Sequence, residues 1–140
     1  MDTNLVLEEA QEIYRTIENY PFQIETYEII GLCMEVHKEL GNGFRENIYK
    51  DAITHECLSR IIPFEREKKF EINYKGKILP HFYVADFVIH NNVLLEVKAQ
   101  NGVLEEHYKQ VINYLAVSKL KLGLLINFGE ESLKFKRVVL

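Results

Sequence analysis

The chain has 140 residues, 47% hydrophobic and 27% charged, with 17 Lys and Arg against 21 Asp and Glu for a net charge of -4. That length suits one domain able to bury about two-thirds of its unfolded surface, and no apolar run approaches the ~20 residues that span a bilayer. The acidic balance argues against a nonspecific, high-affinity nucleic-acid binder, which would be basic, and the acidic start MDTNLVLEEAQEIYR lacks the basic-then-apolar order of a signal peptide.

Residues 4–19 are predicted as a helix, with Val6, Ala10, Ile13 and Ile17 at helical spacing until Pro21 breaks the pattern. A second helix, from about Glu25 to Leu40, gathers Ile29, Leu32, Cys33, Val36 and Leu40 into one stripe. Gly41-Asn42-Gly43 stops it, because Gly and Asn accept the left-handed conformation of a C-cap. A third helix, about Arg45 to Arg60, carries Ile48, Tyr49, Ala52, Ile53 and Leu58. From Phe64 the period changes to two: Phe70 to Tyr74 alternates, Lys75-Gly76-Lys77 turns, and Ile78 to His90 resumes strand character. Pro80 within that strand implies an edge position or a bulge. Asn91-Asn92 leads into the strand Val93–Ala99, completing an antiparallel meander. A helix from about Leu104 to Val117, the strand Leu122–Asn127, a turn at Gly129 and a last strand, Leu133–Val139, follow. The order implies an α/β fold, a mixed central sheet flanked by helices.

Cys33 and Cys57 stand singly on predicted helices, outside any CxxC or Cys/His spacing, and read as buried thiols of a cytoplasmic protein rather than zinc ligands. His37 reads as a surface helix residue. Two local basic clusters, Arg66 with Lys68 and Lys69, and Lys134 with Lys136 and Arg137, are either solvated strand faces or a phosphate-contacting rim.

The chemistry concentrates at Ala85-Asp86 and Glu96-Val97-Lys98. Acids and a lysine inside apolar strands are rare unless paired or bound to a metal. Divalent-metal cleavage of a phosphodiester needs oxygen ligands, an attacking water and neutralisation of phosphate charge. Asp86 and Glu96 supply the oxygens, with the Val97 carbonyl as a further ligand, and Lys98 shares a strand face with Glu96. For Asp86 to join that face it must lie opposite Glu96 rather than Val97. A two-residue loop at Asn91-Asn92 would pair residue 86 with 97, so an odd-length turn over His90-Asn91-Asn92 with an Asn in αL, or a bulge, is expected. The plain alternative is an Asp–Lys or Glu–Lys ion pair at a strand end. Glu46, in the first turn of the third helix, is either a third acid beside the metal or a carboxylate complementing the helix dipole. Gln110 and Tyr114, at i and i+4 with His107, are a stripe beside the core positions Leu104, Tyr108, Val111 and Leu115 and can line the same cleft.

Gly43-Phe44-Arg45-Glu46-Asn47-Ile48-Tyr49 resembles the pattern of the GxxExxY proteins, a small bacterial and archaeal group within the PD-(D/E)XK nuclease superfamily. Tyr27 to Gly31 and Glu35 to Gly41 look like that group's opening helix, and Leu125 to Gly129 with Phe135 to Val139 look like its ending. The resemblance covers residues 24–140 and leaves 1–23 as an extra N-terminal helix. It implies a restriction-endonuclease-like core holding Mg²⁺ or Mn²⁺, with Asp86, Glu96 and Lys98 matching the D…ExK motif and Glu46 the helix acid ahead of the sheet. Gln110 and Tyr114 match the QxxxY element of the RecB-like branch, and Ala85 replaces the motif's loosely kept proline. The implied function is a metal-dependent nuclease acting on nucleic acid, with DNA preferred. The alternative is a non-catalytic module of the same fold binding nucleic acid or a protein partner. So small a core offers little recognition surface, which favours a homodimer or a partner subunit and gives no reason for membrane association.

Overall fold

The computed structural model describes residues 22–140, so the helix expected over 4–19 lies outside the described residues. Helix α1 (Gln23–Leu40) buries Ile29, Ile30, Leu32, Cys33 and Val36 and stops at Gly41, whose φ of 73° suits glycine. Helix α2 (Glu46–Ser59) follows at once. Its Tyr49 hydroxyl donates to the Gly41 carbonyl and accepts the Phe44 N–H, fastening the corner between the helices. The phase of α2 differs from the expected one. Tyr49, Lys50, Ile53 and Cys57 point inward, whereas Ile48 and Leu58 are exposed. The inward lysine is tolerated because carboxylates of the sheet meet it, as described below. Both cysteines are buried free thiols, as expected.

The sheet has five strands in sequential order: β1 (Phe64–Tyr74), β2 (Lys77–Ile89), β3 (Val93–Lys98), β4 (Leu122–Asn127) and β5 (Lys134–Val139). Helix α3 (Glu105–Ser118) is the crossover between β3 and β4, the one parallel pair; the other pairs are antiparallel. β3 and β4 are buried almost throughout because α1 and α2 cover one face and α3 the other. Gly123 of β4 admits α3 closely, since a Cβ there would stand 2.6 Å from Val111 Cγ1. A mixed sheet between helices is thus the architecture, as the order of elements implied. Among the described residues no helix is long and apolar enough to cross a membrane.

The register at the β2–β3 hairpin matches the expectation. Phe87 pairs with Leu95, Val88 with Leu94 and Ile89 with Val93, which sets Asp86 opposite Glu96 across a three-residue turn. His90 and Asn91 both adopt positive φ, 56° and 60°, and His90 is held by Glu28 at 2.6 Å. Pro80 lies at a bulge: the β1–β2 pairing jumps from Glu71–Phe82 to Asn73–Ile78, leaving three β2 residues against Ile72.

A second irregularity positions the site. In a regular strand residues 85, 87 and 89 share a face. Here Phe87 and Ile89 join the core beneath α1 and α2, while Ala85 and Tyr83 join the core beneath α3. β1 does the same, with Phe64 on the first side and Phe70 on the second. Both strands roll over at Glu67 and Asp86, which the ladder skips between the Arg66–Phe87 and Lys68–Ala85 pairs, and Glu67 has a φ of 56°, uncommon for a non-glycine residue. Asp86 therefore lies where its side chain can reach both an α2 residue and β3.

Candidate active site

Past Phe87–Leu95 the β2–β3 ladder ends, and two carboxylates take the place of its next hydrogen bonds. The Asp86 N–H donates to Glu96 Oε1 at 3.0 Å, and the Val97 N–H donates to Asp86 Oδ2 at 2.8 Å. Each carboxylate uses one oxygen on a backbone donor, which fixes its orientation. Asp86 Oδ1 accepts from the Lys50 ammonium at 2.9 Å, and Lys50 also bonds Glu67. Three carboxylates thus align across the sheet, Glu67 on β1, Asp86 on β2 and Glu96 on β3, with Lys50 between the first two.

Burial sets the electrostatics. Glu96 is 4% exposed. Desolvation, and then the charge of Asp86, push its carboxyl up to about 8, against the opposing pull of Lys98. Burial works against the Lys50 charge, but its hydrogen bonds to Glu67 and Asp86 hold its pKa above the ordinary lysine value. Tyr114, 6% exposed, is pushed up to about 12 by burial and then by Glu96, which places that phenol in the electrostatic reach of the carboxylates. Its hydroxyl accepts from Gln110 Nε2 at 3.0 Å, and its ring packs on Tyr83 with centroids 4.9 Å apart.

Lys98 and Gln110 open onto one cleft of about 440 Å³, lined also by Tyr83, Glu106, His107 and Asn113. Asp86, Glu96, Lys98, Gln110 and Tyr114 are therefore brought together. Glu46 sits one turn ahead of Lys50 on α2, half-buried, and makes no hydrogen bond or ion pair among the described residues. The Val97 N–H is taken up by the Asp86 carboxylate. Lys50 and Glu67 are the residues that sequence reasoning missed. The available signal was the i, i+4 spacing from Glu46 to Lys50, which puts the lysine on the helix face of the candidate acid. A larger hollow of about 550 Å³ on the other flank of α3, against β5, contains none of Asp86, Glu96 or Lys98.

The end of β4 braces this edge. Asn127, fully buried beside Lys98 in the parallel register, accepts the N–H groups of Gln100 and Gly129 and donates to the Gln100 carbonyl at 2.9 Å. Gly129 is required there, because a Cβ would overlap the Gln100 backbone. His37, expected at the surface, is half-buried and bonds the Glu130 carbonyl at 2.9 Å, tying α1 to the same corner.

Among the described residues no three His, Cys, Asp or Glu side chains form a ready-made metal cage. The donor set nonetheless fits a hard cation. Asp86 and Glu96 are adjacent oxygen donors whose mutual repulsion a divalent ion would relieve.

Residues 23–138 match the family model of the PD-(D/E)XK nuclease superfamily, and the chain belongs to that superfamily. Members of the superfamily generally use divalent metal ions. No curated protein matches the chain. Among solved structures, the crystal structure of SSO0001 is similar in fold, with a TM-score of 0.54 and 21% identity over 66% of this chain. The chain spans about half, 48%, of that structure's length.

Proposed function

We propose that this chain is a divalent-metal-dependent nuclease that hydrolyses phosphodiester bonds of DNA, a cytoplasmic member of the GxxExxY group within the RecB-like branch. Residues 24–140 form its nuclease domain, with 1–23 an appendage. The observation that carries this reading is the Asp86–Glu96 pair: two carboxylates on neighbouring strands, each oriented by a backbone N–H of the other's strand, with Lys98 two residues along.

Asp86 and Glu96, with the Val97 carbonyl, would hold Mg²⁺ or Mn²⁺, which when bound supplies charge neutralisation and Lewis acidity at the phosphate. Lys98 orients the attacking water or holds a phosphate oxygen from the cleft side. Glu46 assists from α2. Gln110 fixes the Tyr114 hydroxyl, and Tyr114 in turn shapes the wall against Glu96. Lys50 positions Asp86 by holding Oδ1, and Glu67 steadies that ammonium. Positioning and electrostatics are the main contributions such a site makes to catalysis.

One observation favours a second reading, a nuclease-fold module that binds without turnover: an internal ammonium, rather than an exposed vacancy, meets Asp86. Calorimetric titration of Mn²⁺ into wild type and Glu96→Ala, followed by cleavage assays of Asp86→Asn and Lys98→Ala, separates the two. The nuclease reading expects Mn²⁺ binding lost in Glu96→Ala and cleavage lost in both other variants while each still unfolds cooperatively as a folded protein. Cleavage equal to wild type in either variant rules out these roles, and binding to nucleic acid that persists in chelator with no product under any cation establishes the module.

A further inference from the structure

The β1–β2 hairpin runs well past the sheet it belongs to. β3 pairs only with residues 87–89 of β2, so beyond Asp86 neither edge of the hairpin pairs with another strand among the described residues. Its base, Phe70 and Tyr83, packs under α3 against Tyr114, and Tyr83 also lines the candidate cleft. Beyond that base every residue from 73 to 82 is exposed, including Tyr74 at 58%, Ile78 at 62% and Phe82 at 47%. Charge is concentrated here too. From Lys68 to Tyr83 there are four lysines and one acid, a local +3 in a chain of net -4. Lys69 lies over the Phe82 ring at 4.3 Å and Lys75 over Tyr74 at 5.5 Å. Among the described residues Lys75 and Lys77 have no carboxylate partner.

We infer that this hairpin is an arm that grips duplex nucleic acid in its major groove and sets a preference for duplex over single strand, an inference that rests on the nuclease reading of the adjoining site. The shape fits. Two strands about 4.8 Å apart with their side chains make a ribbon narrower than the major groove, which is about 12 Å wide. Tyr74 is four positions beyond Phe70, which carries the tip about 13 Å past the base, roughly four base pairs along a duplex seated at the cleft. Lysines at the tip meet phosphates, while Tyr74, Ile78 and Phe82 offer apolar and π surface to base edges and sugars. A second copy of the chain is a poorer occupant: Pro80, the bulge and the flanking lysines are the features that blunt edge-to-edge strand pairing.

The test is fluorescence anisotropy of a labelled DNA duplex and its matched single strand, in chelator, across a salt series. Wild type is compared with the double variant Lys75→Asn, Lys77→Gln; Asn is chosen because residue 75 has a φ of 50°. Phe82→Ser, which leaves the turn untouched, is the second variant, and melting curves confirm that all three are folded. Wild type is expected to bind duplex more tightly than single strand. The double variant is expected to lose that preference, with a log K against log salt slope shallower by about 2, one per lysine, and Phe82→Ser to bind duplex more weakly. Equal duplex affinity and slope in wild type and the double variant overturns the inference, as does wild-type binding that does not favour duplex. Binding in chelator requires no turnover, so a chain that grips duplex through the arm yet yields no product under any cation sinks the nuclease reading alone.

Discussion

Glu96 meets two costs at once: burial removes its carboxylate from water, and Asp86 sets a like charge beside it, raising its pKa to about 8. In the unfolded chain the same group ionises near 4.3. Between those values the folded state holds the extra proton, so stability contributed by this group is fully present below the unfolded pKa and is lost as pH rises through the folded one. Metal-free protein is therefore expected to melt lower at pH 9 than at pH 6, and Glu96→Gln to flatten that slope in thermal melts across pH. A steeper decline in Glu96→Gln than in wild type would refute the assignment. Cation binding carries the opposite sign, because a bound ion needs the carboxylate; Mn²⁺ affinity should climb as pH approaches 8. Lys50 governs the neighbouring acid. Removing its ammonium as Lys50→Met leaves Asp86 between two carboxylates, at a cost of about 2 kcal/mol given that Asp86 and Glu67 are partly in water. Saturating Mn²⁺ should restore more stability to Lys50→Met than it adds to wild type, and an equal gain would count against Lys50 as the resident counter-ion. Nothing in the residue types marked Lys50 as internal, since lysine is ordinarily a surface residue and its two carboxylate partners lie on other elements.

Elements were legible in proportion to how local their causes are. The helix stop at Gly41, the bulge at Pro80, the turn at Lys75-Gly76 and the odd-length hairpin at His90-Asn91-Asn92 follow from backbone preferences carried by a few neighbouring residues, and the structure has them where they were expected. The phase of α2 was not legible, because Ile48 and Leu58 are as apolar as Ile53. The choice among them is made by Tyr49, which must reach both Gly41 and the Phe128 ring, stacked on it at 4.5 Å. The rollover at Glu67 and Asp86 was hidden for a similar reason: Phe64 and Phe70 fit one alternating strand on paper while packing on opposite faces in the fold. At the β4 end, Gly129→Ala is expected to cost about 3 kcal/mol, since the Gln100 backbone cannot yield without breaking its bonds to Asn127. Denaturant unfolding measures this directly, and a loss below about 0.5 kcal/mol, the range of ordinary surface changes, would show that the corner can relax.

For the molecule as a whole, the acids at 86 and 96 and the lysine at 98 were readable because ionisable residues interrupt apolar strands, and the structure does gather them beside Gln110 and Tyr114. Glu46 was readable as an acid at a helix start, and its side chain bonds none of them among the described residues. A ligand that binds only the folded state stabilises it by mass action. Mn²⁺ at about a hundred times its Kd should therefore add about 2.7 kcal/mol to wild type and nothing to an Asp86→Asn, Glu96→Gln double variant, as read from melting curves with and without chelator. Equal stabilisation of both proteins would place the ion elsewhere.

The rollover has a mechanical consequence. The hairpin arm joins the sheet through two strands that exchange faces at Glu67 and Asp86, and Lys50 ties both residues to α2. This fulcrum lies between the arm and the cores on either side of the sheet. Because Asp86 is also the carboxylate that holds the Val97 amide, the joint of the arm and the seam between the two acids share one residue.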